Sequence, residues 1–461
     1  MKIVLFGAGG FLQNSRERIE KLPNTEVIKI IDNNNRLIGS EVMGIRVSSV
    51  NDLQEPYDYI VITSNYAVEI EKQLLEIGIE ENKIKRFVEY ESFINRDNKE
   101  VFTTGECRNQ NRKSVVAITP ILEFNGAFIA LVNLLEYLSK ELNFRTIIAA
   151  PRKRDNVVDY LLGKGIEVIV DSYIEYENTP VIETCDYYIV NTLLMRKCLK
   201  YLDLSKTIWW LHESAISYEI ENGIWGDFQD EVYTNARTYC VSAKERAVFE
   251  KYFPKNKAGI FEYGISDEAV DGEQVQPKAN EKIVFAIIGF IANIKGQDIL
   301  INAVNKLSKD YIDKFELWII GDNDDKNYMA ELSQSVHTDN VKFFGGVSHE
   351  EMKKLYKDID VVVSSSRQDS LPIVVTEALT NSKICIISDA IGTVNYLKDG
   401  IDAFVFESEN VADLADKMMY VIDNYNQARE IGRQGRNVFE KHFTINKAGE
   451  RFLSIIEEMG S

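Results

Sequence analysis

Ser364-Ser365-Ser366-Arg367-Gln368-Asp369-Ser370-Leu371-Pro372-Ile373-Val374-Val375-Thr376-Glu377-Ala378 joins an apolar run to a helical pattern. The valines at 361–363 predict a buried strand that ends in the serines. Pro372 suits the first position of the helix that follows, where a missing N–H is harmless. A strand leading through a short loop into a helix is half of a parallel βαβ unit. In open α/β sheets, loops at the carboxyl ends of strands are where ligands bind. Free amides at the start of such a helix can hold a diphosphate. Asp369 precedes the turn and Glu377 lies inside the helix, and carboxylates accept hydrogen bonds from sugar and ribose hydroxyls. The same residues also fit an N-cap Asp and a surface Glu on an ordinary helix.

The alternation extends in both directions from this stretch. Strands are expected at 283–288, 316–320, 341–344, 360–364, 384–388 and 403–406, and an amphipathic helix at 445–459. Upstream lie expected strands at 115–119, 146–149, 167–170, 186–190, 207–211 and 238–241. A third group sits at 2–6, 27–31 and 59–63. Short β-branched runs between helical patterns read as parallel sheets. The chain of 461 residues therefore divides into an accessory Rossmann-like domain at 1–98, a polar linker at 99–113, and two further α/β lobes at 114–268 and 269–461. The last helix is expected to cross back to the lobe before it.

Composition narrows the function classes. Apolar residues make up 45% of the chain, enough for sizeable cores, yet no apolar run nears the ~18 residues of a membrane span. A net charge of −19 argues against nucleic acid as the main partner, because phosphate backbones need a positive field. Five scattered cysteines without a Cys-x-x-Cys pair suggest neither a disulfide framework nor a zinc site, and fit a reducing cytoplasm. The N-terminus runs directly into a strand, so no signal peptide is expected.

The acid-x7-acid spacing of Asp369 and Glu377 continues through Lys383-Ile384-Cys385-Ile386-Ile387-Ser388 to Gly392. With Gly289-Phe290-Ile291-Ala292-Asn293-Ile294-Lys295-Gly296, Gly321-Asp322 and Val341 to Gly345, it resembles family 4 glycosyltransferases across roughly 114–461. The resemblance implies a GT-B fold whose C-terminal lobe binds a nucleotide-diphosphate sugar as donor substrate, with no other cofactor. It implies roles residue by residue. Lys295 neutralises the diphosphate, Asp369 contacts the transferred sugar and Glu377 the donor ribose. Ser370, Leu371, Pro372 and Ile373 carry the phosphate-side loop, and backbone near Phe344 and Gly345 meets the base. Two departures stand out. The first acid is Asp rather than the usual Glu, and Phe290 lies where many members have an Arg.

In the middle segment, Asn125-Gly126-Ala127 opens a nearly all-apolar helical stretch. Gly126 fits either a plain turn or, by the resemblance, a place beside donor and acceptor. Trp209-Trp210-Leu211-His212-Glu213-Ser214 puts His212 at the end of a strand. A lone histidine is usually a structural residue, but the resemblance places it near the transferred sugar. Arg152-Lys153-Arg154, Lys197 and Lys200 read as a solvated surface or as contacts to the phosphate of a lipid-linked acceptor or membrane. Asp322-Asn323-Asp324 reads chiefly as a polar turn, with a divalent-ion site as the minor alternative. No metal is expected.

At the front, Phe6-Gly7-Ala8-Gly9-Gly10-Phe11 with Asp32 begins a dinucleotide fingerprint, but Leu12 occupies its third glycine position. This segment resembles the Rossmann-like domain that precedes bacterial sugar acyltransferases, and no catalytic set is visible in it. It is expected to be dispensable for the chemical step.

The reading is a retaining, metal-independent glycosyltransferase acting on a glycan, lipid-linked or protein acceptor in surface polysaccharide or glycoconjugate assembly. It is placed in the cytoplasm, with peripheral membrane contact and homo-oligomerisation left open. The rival is a non-catalytic nucleotide-sugar sensor or scaffold.

Overall fold

The β-branched runs and helices alternate as expected and, in the computed structural model, gather into three sheets. The structure describes residues 1–461 except 55, 105–111, 155, 268–281, 324 and 461. The first sheet comprises β1 (Lys2–Phe6), β2 (Glu26–Ile31), β3 (Glu41–Val42), β4 (Ile45–Ser48), β5 (Tyr59–Ile62) and β6 (Ile84–Arg86), in the order β3-β4-β2-β1-β5-β6. All its pairings are parallel except β3 with β4.

The second sheet holds β7 (Lys99–Phe102), β8 (Ser114–Ile118), β9 (Arg145–Ala150), β10 (Ile166–Asp171), β11 (Tyr187–Asn191), β12 (Thr207–Leu211), β13 (Thr238–Cys240) and β14 (Gly259–Ile260). Its order is β14-β13-β12-β11-β8-β9-β10-β7. The third holds β15 (Ile283–Ile288), β16 (Phe315–Ile320), β17 (Val341–Gly345), β18 (Val361–Ser364), β19 (Ile384–Ser388) and β20 (Phe404–Phe406), in the order β17-β16-β15-β18-β19-β20. β8, β12 and β19 are buried along their whole length, as expected where helices cover both faces.

One expected boundary shifts. Lys99–Phe102, part of the stretch read as linker, pairs antiparallel with β10 as an edge strand. Lys99 reaches Asp171 at 3.0 Å, and Lys153 bonds Glu100 at 2.7 Å while lying over the Phe102 ring. Charge pairing across a sheet edge has turned a polar, apolar-poor segment into structure. Residues 105–111 of that stretch lie outside the described residues.

The two large lobes share one core. It joins Phe128, Leu131 and Trp210 of the second with Leu371, Ile387 and Ile391 of the third. The helix Ile445–Met459 does cross back. It packs on the helix Gly126–Lys140, with Phe452 edge-on to Phe144 and Tyr187. Gly449 makes the approach feasible, since a β-carbon there would sit 2.2 Å from the Tyr137 ring. Where the chain crosses between lobes, Ile265 N–H donates to Phe443 O and Ile445 N–H to Ile265 O, each at 2.9 Å.

The first sheet is docked rather than merely tethered. Its helix Ala67–Glu76 packs on the helix Ala215–Trp225 of the second lobe, and Ile224 joins the core on one face of the first sheet.

Candidate functional site

All neighbours in the third sheet are parallel, so the loops after β15, β16, β17, β18 and β19 emerge on one edge. The loop after β15 carries Lys295 in a tight turn, Asn293–Lys295, closed by Gly296 at φ +70°. A β-carbon at Gly296 would lie 2.1 Å from the Ser365 carbonyl oxygen, so only glycine lets this loop lie against the one after β18. Ser365 Oγ donates to Gly296 O at 2.7 Å and stitches the two together.

That contact brings Lys295 to the first acid. Lys295 Nζ lies 2.6 Å from Asp369 Oδ2. The lysine side chain is 36% exposed and the aspartate 12%, so the lysine stays accessible from outside the pair. Asp369 itself is fixed by its backbone: Gly392 N–H donates to Asp369 O, and a β-carbon at Gly392 would sit 1.7 Å from Ser370 O. Arg367, which sequence reasoning passed over, holds the base of both loops. It forks onto Asp298 at 2.7 and 2.8 Å and pairs with Glu409. The Arg367 pairing raises the guanidinium's already high pKa and lowers that of Asp298. The only sequence signal for this role was an arginine inside the loop, and its partner lies 69 residues away.

Pro372 stands at the cap position of the helix Ile373–Thr380, one residue before the expected place. Leu371 is buried in the shared core beneath it. Glu377 is half-buried on that helix and accepts from Tyr356 OH at 3.4 Å. Phe344 and Gly345 end β17, where Gly345 O accepts from Gly321 N–H and the Phe344 ring leans on Trp318. Asp322 is engaged locally: its Oδ1 accepts from Gly346 N–H at 3.0 Å, which supports the polar-turn reading. Asp324 lies outside the described residues. Among the described residues, no group of three or more His, Cys, Asp or Glu is arranged to hold a metal ion.

The second sheet faces this edge with its own carboxyl ends. Gly126 starts the helix after β8, where Asn125 Oδ1 caps Phe128 N–H at 3.0 Å and a β-carbon at Gly126 would meet nothing. His212 follows β12, two strands away on the same edge. Ser370 Oγ donates to His212 O at 2.6 Å, so the loop carrying Asp369 touches the histidine loop directly. The His212 ring lies edge-on to Trp210, and its Nε2 is buried without a hydrogen-bond partner among the described residues. Burial pushes the His212 pKa down to about 3, so the ring is neutral at ordinary pH.

Glu213 is tied to the backbone of neighbouring loops. Its two oxygens accept Leu193 N–H at 2.7 Å and His212 N–H at 2.9 Å. Glu245, another residue the sequence did not mark, accepts Glu213 N–H at 2.7 Å and Val241 N–H at 3.2 Å. The two carboxylates thus tie together the loops after β11, β12 and β13. Burial raises Glu213 to about 7 and Glu245 well above the ordinary carboxylate range.

Most of the basic residues singled out in this lobe sit on a solvated surface in ion pairs, in line with the solvated-surface expectation. Arg152 meets Glu91, Lys153 meets Glu100, Arg154 meets Glu123 and Lys200 meets Asp230. Lys197 is buried between the rings of Tyr176 and Trp225, where burial lowers its pKa to about 7. In the first sheet, Asp32 Oδ2 accepts Ala8 N–H at 2.6 Å and closes the glycine turn. A cavity of about 380 Å³ lies there, lined by Gly7, Asp32, Asn33, Ser64, Tyr66 and Gln73.

Two lobes of parallel sheet with facing carboxyl edges and a returning C-terminal helix match solved structures over nearly their full length. The fold is GT-B, with an additional N-terminal domain. Anabaena HepE in complex with UDP and glucose is 14% identical with a TM-score of 0.60, covering 74% of this chain and 99% of that one. A glycosyltransferase from Rickettsia africae is 17% identical with a TM-score of 0.60, covering 76% and 99%. Residues 271–438, within the C-terminal GT-B lobe, match the family model described as Glycosyl transferases group 1. Residues 1–85 match the model described as C2185-like, N-terminal. The likeness of that domain to the one in front of sugar acyltransferases therefore rests on the sequence resemblance alone. An uncharacterized glycosyltransferase of Methanocaldococcus jannaschii is 20% identical over 222 residues, 47% of this chain and 57% of the relative. The poly(ribitol-phosphate) alpha-N-acetylglucosaminyltransferase of Staphylococcus aureus is 26% identical over 164 residues, 34% of this chain and 33% of the relative. The chain thus spans little more than half the length of the first of these relatives, and a third of the second. Among the described residues no helix is long and apolar enough to cross a membrane.

Proposed function

We propose that this protein transfers a glycosyl group, with retention and without a metal ion, from a nucleotide-diphosphate sugar to a glycan, lipid-linked or protein acceptor. The observation that carries the reading is the Lys295–Asp369 contact at 2.6 Å, held by glycine-dependent loop packing directly beneath the His212 loop. Lys295 and the amides at the start of the helix Ile373–Thr380 offset the charge of the departing diphosphate, the kind of preorganised electrostatic work that dominates such sites. Asp369 accepts from hydroxyls of the transferred sugar, and Glu377 from those of the ribose. Neutral His212 offers its unpartnered Nε2 to the sugar. Glu213 spends both oxygens on backbone amides, so it is not placed as a nucleophile. That favours front-side attack in which the leaving phosphate takes the acceptor proton.

The match of residues 271–438 to group 1 glycosyl transferases and the UDP complexes of HepE support this reading. The Staphylococcus aureus relative, named for transfer of N-acetylglucosamine to poly(ribitol-phosphate), supports a polymeric acceptor. A place in surface polysaccharide or glycoconjugate assembly, at the cytoplasmic side, is inferred from the family resemblance. Calorimetry with UDP, GDP and ADP, followed by turnover of the matching nucleotide sugars, tests it. Micromolar binding of one diphosphate and its release from the corresponding sugar are expected. Binding without turnover across a broad acceptor pool would leave a sensor, and no binding at all would remove the reading.

A further inference from the structure

The helix Ala215–Trp225 has two ends with different attachments. Its C-terminal end is gripped by the N-terminal domain. Arg86 Nε donates to Ile224 O at 2.6 Å, its guanidinium lies 4.9 Å over the Trp225 ring, and a second nitrogen pairs with Glu71 at 2.6 Å. Gly223 faces the turn that precedes the helix Ala67–Glu76, where a β-carbon would sit 2.7 Å from Asn65 O. Ile224 is buried beside Ala67, Ile70 and Leu74. The N-terminal end of the helix begins at Ser214, directly after His212 and Glu213. There the Glu213 and Glu245 carboxylates fix the backbone, Tyr218 OH reaches Glu245 at 3.5 Å, and His212 O takes the Ser370 hydroxyl of the opposite lobe.

A helix is stiff along its axis over eleven residues, so a constraint on one end is felt at the other. We propose that the N-terminal domain is a positioning element of the transfer site: it clamps the C-terminal end of the helix Ala215–Trp225 and so sets the His212–Ser214 loop, with Arg86 and Gly223 as the residues through which it acts. This rests on the proposed function only in giving that loop a task. It runs against the expectation that the first segment is dispensable.

Gly223→Ala is the discriminating change. Inside a helix, alanine is a better former than glycine, so without a real clamp the variant is as stable as the parent or more so. With the clamp, the new methyl meets Asn65 O and the two helices must part. The expected result is a lower melting temperature, faster amide exchange in 65–76, 215–225 and 212–214, at least tenfold slower UDP release from UDP-glucose, and UDP affinity within twofold. Arg86→Ala should show the same pattern. Arg86→Lys should recover part of it, since an ammonium can serve Ile224 O or Glu71 but not fork between them. An unchanged or higher melting temperature with unchanged exchange would overturn the clamp. Faster exchange confined to the interface, with 212–214 and turnover untouched, would overturn the positioning role. If the parent protein binds none of UDP, GDP and ADP, the functional reading fails, while the exchange data still decide whether the domain sets this loop.

Discussion

Replacing Lys295 with alanine should separate two things the lysine does. The lysine pairs with Asp369 at 2.6 Å. Two unit charges about 4 Å apart attract by about 4 kcal/mol at an effective dielectric of 20. A lysine 36% exposed is screened by solvent, which brings its net contribution to stability down to about 1 kcal/mol or less. The larger effect falls on the reaction. Losing a charged hydrogen bond to the leaving diphosphate costs about 1.5–3 kcal/mol, and at 1.36 kcal/mol per decade this slows turnover roughly 10- to 150-fold. The assay is steady-state release of nucleoside diphosphate from the donor that binds, on protein whose circular dichroism matches the parent. Asp369→Asn and the double variant complete a cycle. If Lys295 acts on the phosphate, its removal still slows the reaction in the Asp369→Asn background. If the lysine merely holds Asp369 in place, its loss costs nothing further there, and the assigned role fails. Turnover of Lys295→Ala within twofold of the parent would falsify it outright.

Glu377→Gln should weaken diphosphate affinity by about 1–3 kcal/mol, as a charged acceptor of ribose hydroxyls becomes a neutral, half-donating amide; unchanged calorimetric affinity removes Glu377 from the ribose site. Excess chelator should leave turnover intact, and loss restored by magnesium or manganese would instead enlist Asp322 and Asp324 as ligands. His212 and Glu213 pull the pH dependence of stability in opposite directions. The His212 pKa, lowered to about 3 from 6.5, means the unfolded chain takes up that proton first, so stability is lost as pH falls from about 6.5 toward 3. The Glu213 pKa, raised to about 7 from 4.5, contributes stability below pH 4.5 that is lost as pH rises through 7. Glu213→Gln deletes the second effect, so its melting temperature should gain on the parent's between pH 4.5 and 7; parallel curves would mean Glu213 is already ionised there.

The strands of both large lobes were legible because their burial on two faces writes continuous apolar runs, and β12, β15 and β19 fall on the residues expected. The Asp369 and Glu377 spacing marked one strand-to-helix connection on the carboxyl edge of the third sheet, because one acid lies in that loop and the other in the helix it leads into. What stayed hidden depends on distant partners. Arg367 needs Asp298, Glu213 needs Leu193 and Glu245, and nothing in the local pattern distinguishes these side chains from solvated ones. Lys99–Phe102 looked like linker because an edge strand paired on one side needs no apolar face. The docking of the first domain was invisible for the same reason: Gly223 and Arg86 lie 137 positions apart in the chain.

The paired crossings at Ile265 and Thr444 bear on how this molecule can move. The chain passes between the GT-B lobes there twice, and the two passages are hydrogen-bonded to each other at 2.9 Å. Gly264 packs them so closely that a β-carbon would lie 2.5 Å from Thr444 O. Two adjacent, mutually bonded threads resist sliding and twisting but yield to bending, as the leaves of a door do at the pin. Bending at these two threads is therefore the displacement between the lobes that they oppose least. The contacts of Ser370 with His212 O and of Lys244 with Asp389 O are further bonds between the same two lobes. Bulk added at Gly264 would force these two threads apart without touching Lys295, Asp369 or His212.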